Sequence, residues 1–359
     1  MHIHGLFDRL LARNGSDLHL APGYPPMMRV RGDLVAEDQP PLEPEDVQAL
    51  LSGLLTAEQQ RTFTATGDLD FAYAYGGKAR FRGNLMRKLA GVGAVFRAIP
   101  TKILTLDQLD VPDGLRRLTE LERGLVLVAG PTGGGKSTTL AAMLDHINAT
   151  RTGHILTIED PIEFVHAPRS CLITHKEVGD HVPSVAEALR GAGREDADVI
   201  LVGELHGAEA IRLALELASS GGLVLAAIRA GSASAAIERC IDAFPADQQA
   251  QIRNRLADAL AGVLAQQLLE RADGAGRIAV HEVVIGDAAL ASLIREGDTA
   301  QLASAIRTGA VGGTPALDAT LDRLVREGIV TAGDALEAAL DRDAFAKLPH
   351  VAHELTELA

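Results

Sequence analysis

The residues best suited to chemistry occupy positions 130–138: Gly130, Pro131, Thr132, Gly133, Gly134, Gly135, Lys136, Ser137 and Thr138. Gly130, Gly135, Lys136 and Ser137 fill every fixed position of a G-x-x-x-x-G-K-[ST] loop. Glycines let the backbone curl so that consecutive N–H groups face one anion. A helix opening at the end of the loop adds more N–H groups and a favourable dipole. The apolar run GLVLVA (124–129) precedes the loop and TTLAAMLDHI follows it, so the strand and helix that the motif needs are both present. The pattern points to ATP or a related nucleoside triphosphate bound with Mg²⁺. Lys136 is expected at the β- and γ-phosphates, the Ser137 hydroxyl on the metal and Thr138 near the α-phosphate.

Hydrolysis needs a positioned water and a carboxylate near it. Glu159, Asp160 and Glu163 lie in TIEDPIEF, where Pro161 stops a strand and leaves the acids at its end and in the following turn. Glu204 closes the apolar run ADVILVGE (197–204), the Walker B pattern of an acid on the magnesium side. Ser137, Glu204 and Glu159 are therefore the candidate magnesium ligands. Arg80 and Arg82 share one strand face, and with Arg97 they are candidate phosphate contacts. Arg190 and Arg194, four apart, read as neighbours on one helix face.

The elements around these residues fall into two blocks. Residues 1–20 read as a short helix and a strand with a turn at Asn14-Gly15, and 26–35 as a hairpin around Gly32-Asp33. One or two helices are expected over 40–65. Alternation over 69–99 puts Phe71, Tyr73 and Tyr75 on one strand face, with a hairpin turn at Gly76-Gly77. After a junction at Pro100, strand and helix alternate through 124–230, with strands at 154–160, 197–204 and 222–228 and a helix at 207–219. That order argues for an α/β domain with a largely parallel sheet. Beyond 232 the chain reads as mostly helical, broken by glycines at 273–276, 297 and 309–313, with a strand at 281–285.

Length and composition limit the function. The 359 residues allow about two domains. A formal net charge of -14 and only 3% aromatic residues argue against a phosphate-backbone or base-stacking surface, so no nucleic-acid partner is expected. Cys171 and Cys240 make neither a disulfide framework nor a thiolate metal site, and read as small buried residues. No signal-peptide pattern and no 18-residue apolar stretch occur, which reads as cytoplasmic.

The sequence resembles the type IV pilus retraction ATPases within the secretion ATPase family, almost from end to end. The resemblance is carried by SDLHLAPGYPPMMRVRGDL, ARFRGNLMRKLAGVGAVFRAIP, the loop region GLVLVAGPTGGGKSTTLAAMLDHIN, LTIEDPIEFVH and DVILVGE. It implies a PAS-like α+β domain over 1–100, a linker over 101–114 and a RecA-like α/β ATPase domain over 115–359 with a helical C-terminal region. It further implies a hexamer with nucleotide between the domains, Glu163 as the base that activates water, Glu204 on the magnesium side, and phosphate contacts from Arg80, Arg82 and Arg97. The implied function is an ATPase in pilus retraction and twitching motility, held at the inner membrane by a platform protein and working beside a standard retraction ATPase. Several positions depart from the family pattern. Leu205, His206 and Gly207 replace Met-Arg-Asp, and Gly222 and Arg229 replace the two histidines of the family's His box. Losing the first histidine removes a ring able to transmit γ-phosphate state, while Arg229 keeps a donor and adds a permanent charge. A weakly hydrolysing regulatory paralogue is the alternative these changes suggest. An assembly or type II secretion ATPase commonly carries a longer N-terminal region and a four-cysteine insert, neither of which occurs here.

Overall fold

A computed structural model describes every residue except Met1, Arg31, Pro100, Thr101, Pro315, Leu358 and Ala359. The expected junction at Pro100 thus lies outside the described residues. Two compact units emerge, Met1–Lys102 with Pro161–Val165, and Ile103–Asp160 with His166–Ala359.

The first unit is an α+β fold. Helix α1 (Ile3–Ala12) leads into strands β1 (Asp17–Leu20), β2 (Met27–Val30) and β3 (Asp33–Ala36), then helices α2 (Pro44–Leu51) and α3 (Ala57–Thr66). Strands β4 (Asp68–Tyr75), β5 (Ala79–Lys88) and β6 (Gly91–Ile99) complete an antiparallel sheet in the order β3-β2-β1-β6-β5-β4. Alternation along β5 buries Ala79, Phe81, Gly83 and Leu85 and turns Arg80 and Arg82 to the other face. Phe7 of α1 stacks on Phe81, ring centroids 4.0 Å apart, and meets Phe96 edge-on. Tyr73 and Tyr75 do share the α1 side with Phe71: Tyr73 hydrogen-bonds His4, and the Tyr75 hydroxyl donates to Asp8.

The second unit carries helix α4 (Asp113–Thr119), strand β7 (Gly124–Ala129), helix α5 (Lys136–Thr150), strands β8 (Gly153–Glu159) and β9 (Cys171–Glu177), helix α6 (Val185–Ala192), strand β10 (Val199–Val202), helix α7 (Ala208–Ser219) and strand β11 (Leu223–Ile228). There follow helices α8 (Ala233–Asp242) and α9 (Ala246–Ala259), strands β12 (Leu260–Glu270) and β13 (Arg277–Ile285), and helices α10 (Ala288–Glu296), α11 (Thr299–Thr308), α12 (Leu317–Arg326), α13 (Ala332–Ala338), α14 (Arg342–Ala346) and α15 (Pro349–Glu357). The sheet order is β13-β12-β7-β11-β10-β8-β9, parallel except for the antiparallel edge strand β13. It is a RecA-like α/β core. Every residue of β7, β10 and β11 is buried, because helices cover both faces. Leu125, Leu127 and Ala129 point into the cluster formed with α6–α11, while Val126 and Val128 meet Leu140, Met143 and Leu144 of α5.

Two expectations need correction. Strand β12 is eleven residues long within a region that reads as helix. Its Leu, Ala and Gln are helix formers, but it lies between β7 and β13, and seven of its residues are buried. Arg190 and Arg194 do not share a helix face: α6 ends at Ala192, and the Arg194 guanidinium folds back to donate to the Arg190 carbonyl at 3.1 Å. Arg190 is itself engaged by Glu187 and Glu209.

The hairpin of β12 and β13 also anchors the C-terminal helices. Leu269 and Val280 pack with Leu317, Leu321 and Phe345. Glu282, 3% exposed, accepts N–H bonds from Ala233 at 2.9 Å and Leu317 at 3.4 Å, fastening the first turns of α8 and α12. Burial pushes its carboxyl pKa upward.

Candidate functional site: the loop between β7 and α5 and its neighbouring strand ends

Strand β7 delivers the chain to Gly130 through a fully buried segment, and α5 starts at Lys136. Between them Gly135 takes φ +85 as the helix N-cap, a left-handed conformation that costs an L side chain energy. No side chain caps α5, so backbone N–H groups of its first turn stay available to an anion. The Lys136 ammonium donates to the carbonyls of Gly130 at 3.0 Å and Pro131 at 2.7 Å. Pro131, Thr132 and Gly133 are exposed, and Ser137 and Thr138 are partly so. The loop therefore offers an accessible nest of N–H groups with a cation held across it.

Gln266 on β12 sets the shape of this loop. It is 2% exposed; its Nε2 donates to the Gly134 carbonyl at 2.7 Å, and its Oε1 accepts from the Thr139 hydroxyl at 2.7 Å. A Cβ at Gly130 would stand 2.5 Å from the Gln266 carbonyl oxygen, and one at Gly135 2.5 Å from the Gln266 amide nitrogen. The glycines of the motif thus serve close approach to β12 as well as backbone curvature. Reading the region as helix hid Gln266. The available signal was the polar pair Gln266-Gln267 inside an otherwise apolar run.

Parallel pairing brings the other candidates to the same edge of the sheet. Gly130 follows β7, Glu159 ends β8, Glu204 comes two residues after β10, and Arg229 follows β11, all at carboxyl ends of parallel strands. The Gly203 N–H donates to the Ile158 carbonyl at 2.8 Å, and a Cβ on Gly203 would lie 3.3 Å from the Glu159 Cα, so the ends of β8 and β10 are closely apposed. Glu159 is 11% exposed, with His175 Nδ1 4.0 Å away; the same nitrogen is hydrogen-bonded to the Thr157 hydroxyl at 2.8 Å. His166 stacks on His175 and is pushed down to a pKa of about 4, first by burial and then by His175 and Arg169. Glu204 meets Arg229 through two contacts, Oε1 to Nε at 2.6 Å and Oε2 to Nη2 at 2.8 Å. Oxygen donors from Ser137, Glu159 and Glu204 suit a hard divalent cation, although Glu204 already has Arg229 as its counter-ion.

The remaining candidates are Asp160 and four residues of the first unit. Glu163 belongs to Pro161–Val165, which groups with the first unit, where Ile162 and Phe164 are buried. Asp160 is exposed at the end of β8. Arg82 and Arg97 face each other across β5 and β6; Arg97 Nε donates to Asp17 at 2.9 Å, and Arg82 lies 4.0 Å from Asp70. Arg80 sits on the same outward face, opposite Ile99. Gly222 precedes β11 and Arg229 follows it, so the two departures from the family pattern are roughly 20 Å apart at opposite ends of a strand. Gly222 thus lies at the amino end of β11, away from the carboxyl ends of the strands where the loop begins. His206 is exposed, as a surface residue would be.

Comparison with known proteins supplies the context for this geometry. The family model described as type II/IV secretion system protein matches residues 67–337. The Pseudomonas aeruginosa type IV pilus retractation ATPase PilT is 47% identical over 313 residues, which is 87% of this chain and 91% of that protein. A twitching motility protein of Neisseria gonorrhoeae is 42% identical over 301 residues, 84% of this chain and 80% of that one. A crystal structure of the pilus retraction motor PilT with bound ADP has a TM-score of 0.88 and 37% identity, covering 96% of this chain and 98% of that chain.

Proposed function

The chain belongs to the type II/IV secretion system protein family, and on that footing we propose that it is an ATP-driven motor of type IV pilus retraction and twitching motility. It is a P-loop NTPase, and binding of ATP follows from the family. The observation that carries the proposal is the loop itself: Gly130–Ser137 runs from a buried strand into α5, with Glu159 and Glu204 at the carboxyl ends of β8 and β10 of the same parallel sheet.

In the proposed reaction, loop N–H groups and Lys136 hold the phosphates and neutralise charge that grows on them in the transition state. Ser137, Glu204 and Glu159 are the residues that would hold magnesium, which would supply neutralisation of phosphate charge. Glu163 orients or deprotonates the attacking water, and Arg80, Arg82 and Arg97 contact phosphate; these roles are assigned by resemblance. We read residues 1–100 as a PAS-like domain, 101–114 as a linker and 115–359 as the ATPase domain. The working form is a homo-hexamer on a platform protein at the cytoplasmic face of the inner membrane, beside a standard retraction ATPase. Among the described residues no helix is long and apolar enough to cross a membrane, so attachment in this reading runs through a partner.

The Arg229–Glu204 pair favours one alternative, a regulatory paralogue that binds ATP and turns it over slowly. Steady-state ATP hydrolysis separates the two. For the motor, Lys136→Ala and Glu163→Gln each lower turnover at least about 100-fold. Turnover by Lys136→Ala equal to that of the unaltered chain would refute the loop as the site.

A further inference from the structure

We infer that Arg229 is a positioning residue that holds the Glu204 carboxylate closed to divalent metal, so that magnesium and the Arg229 guanidinium compete for one carboxylate. This inference rests on the nucleotide and magnesium reading above. It starts from geometry: both Glu204 oxygens are engaged, at 2.6 Å and 2.8 Å, by two nitrogens of one planar guanidinium. Such a fork is the strongest arrangement a single side chain can offer a carboxylate, and its charge cannot be removed by deprotonation. The flanking backbone is fixed. The Leu205 N–H donates to the Ala227 carbonyl at 2.7 Å, which locks the segment after β10 to the end of β11. Glu204 and Arg229 are thus presented to each other by two neighbouring strands of the buried sheet. The pair therefore belongs to the architecture of the strand ends.

With each Glu204 oxygen already accepting from one guanidinium nitrogen, a metal must compete with the fork for the carboxylate's charge and for the lone pairs that face Arg229. Room for opening exists. Arg229 lines a cavity of about 640 Å³ beside α7 and α8, so the guanidinium can leave Glu204 without unpacking the core. The pair is only half-buried, with side-chain exposures of 57% and 40%, so its strength is that of a partly solvated ion pair. Opening it subtracts from the affinity that magnesium adds to nucleotide binding. The structure thus couples a single substitution on β11 to the metal dependence of the site.

The experiment compares binding of mant-ADP to the full chain in Mg²⁺ and in EDTA, with bound Mn²⁺ counted by electron paramagnetic resonance. The quantity read is the ratio of the two affinities. In Arg229→Ala that ratio rises about two- to fivefold, since Glu204 no longer has to shed a partner. Arg229→Lys falls between the two, because a point charge replaces the fork. In a Glu204→Gln background the residue at 229 no longer affects the ratio. An unchanged ratio in Arg229→Ala overturns the inference. So does a loss of mant-ADP affinity that is equal in Mg²⁺ and EDTA, which would mean that Arg229 touches the phosphates itself. If the unaltered chain and Lys136→Ala both fail to bind mant-ADP, the nucleotide reading fails first and takes the inference with it.

Discussion

Replacing Gln266 by leucine tests whether β12 shapes the nucleotide loop. The substitution keeps the side-chain volume close while deleting two buried hydrogen bonds, Nε2 to the Gly134 carbonyl and Oε1 from the Thr139 hydroxyl, both 2.7 Å. Each bond contributes about 1 kcal/mol net, and a buried carbonyl left without a donor costs a further ~1–3 kcal/mol. Thr139 can recover part of its loss by turning its hydroxyl to the carbonyl of Gly135 one turn back, as threonines in helices do. The expected loss of stability is therefore about 2–4 kcal/mol. Because the orphaned carbonyl belongs to the loop, nucleotide affinity should fall with stability. Urea denaturation of Gln266→Leu with and without ADP measures both. ADP should stabilise the variant less than it stabilises the unaltered chain, because ligand binding adds to stability in proportion to its affinity. A stability change below about 0.5 kcal/mol, or full ADP stabilisation, would refute the claim that Gln266 holds the loop in shape.

Two further outcomes follow from the same geometry. Gly135→Ala should abolish nucleotide binding and be hardly restored by adding Gln266→Ala, which relieves the 2.5 Å clash but leaves the strain of φ +85 and deletes the two bonds that shape the loop; Gly130→Ala should not be restored at all, since its clash is with the Gln266 backbone carbonyl. Binding of mant-ADP to the single and double variants decides between these outcomes. Acid should destabilise the chain through two buried histidines, His166 and His281, both held at about 4 by burial against an ordinary value of 6.5. The folded state refuses protons that the unfolded chain accepts, so stability is full above about pH 6.5 and falls as pH drops towards 4, by up to about 3 kcal/mol per histidine. Urea midpoints between pH 4.5 and 7.5 measure the slope, which His281→Asn should flatten; an unchanged slope refutes the assignment.

Local pattern carried much of the molecule. A loop motif placed between an apolar run and a helix identified the site because its steric and dipolar requirements are satisfied within about twenty neighbouring residues. Alternation along 69–99 put Phe71, Tyr73 and Tyr75 on one side of the first sheet, since a strand's period of two is a local property. The apolar runs at β7, β10 and β11 read as buried strands because both faces of a helix-covered parallel sheet exclude polar side chains.

Tertiary structure alone decided the rest. LAGVLAQQLLE is a strand because β7 and β13 pair with it, a context that its helix-forming residues do not signal. Likewise CLITHKE becomes β9 by pairing with β8, although its polar residues give no clear period. The bond from Gln266 to Thr139 spans 127 residues, and that from Arg229 to Glu204 spans 25. Gly222 and Arg229, seven apart in one motif, separate to opposite ends of β11 because an extended strand converts each residue into about 3.3 Å of distance. Spacing in the sequence names residues able to bind a phosphate or a metal. Which carboxylate is free to do so depends on the strand ends that pairing brings side by side.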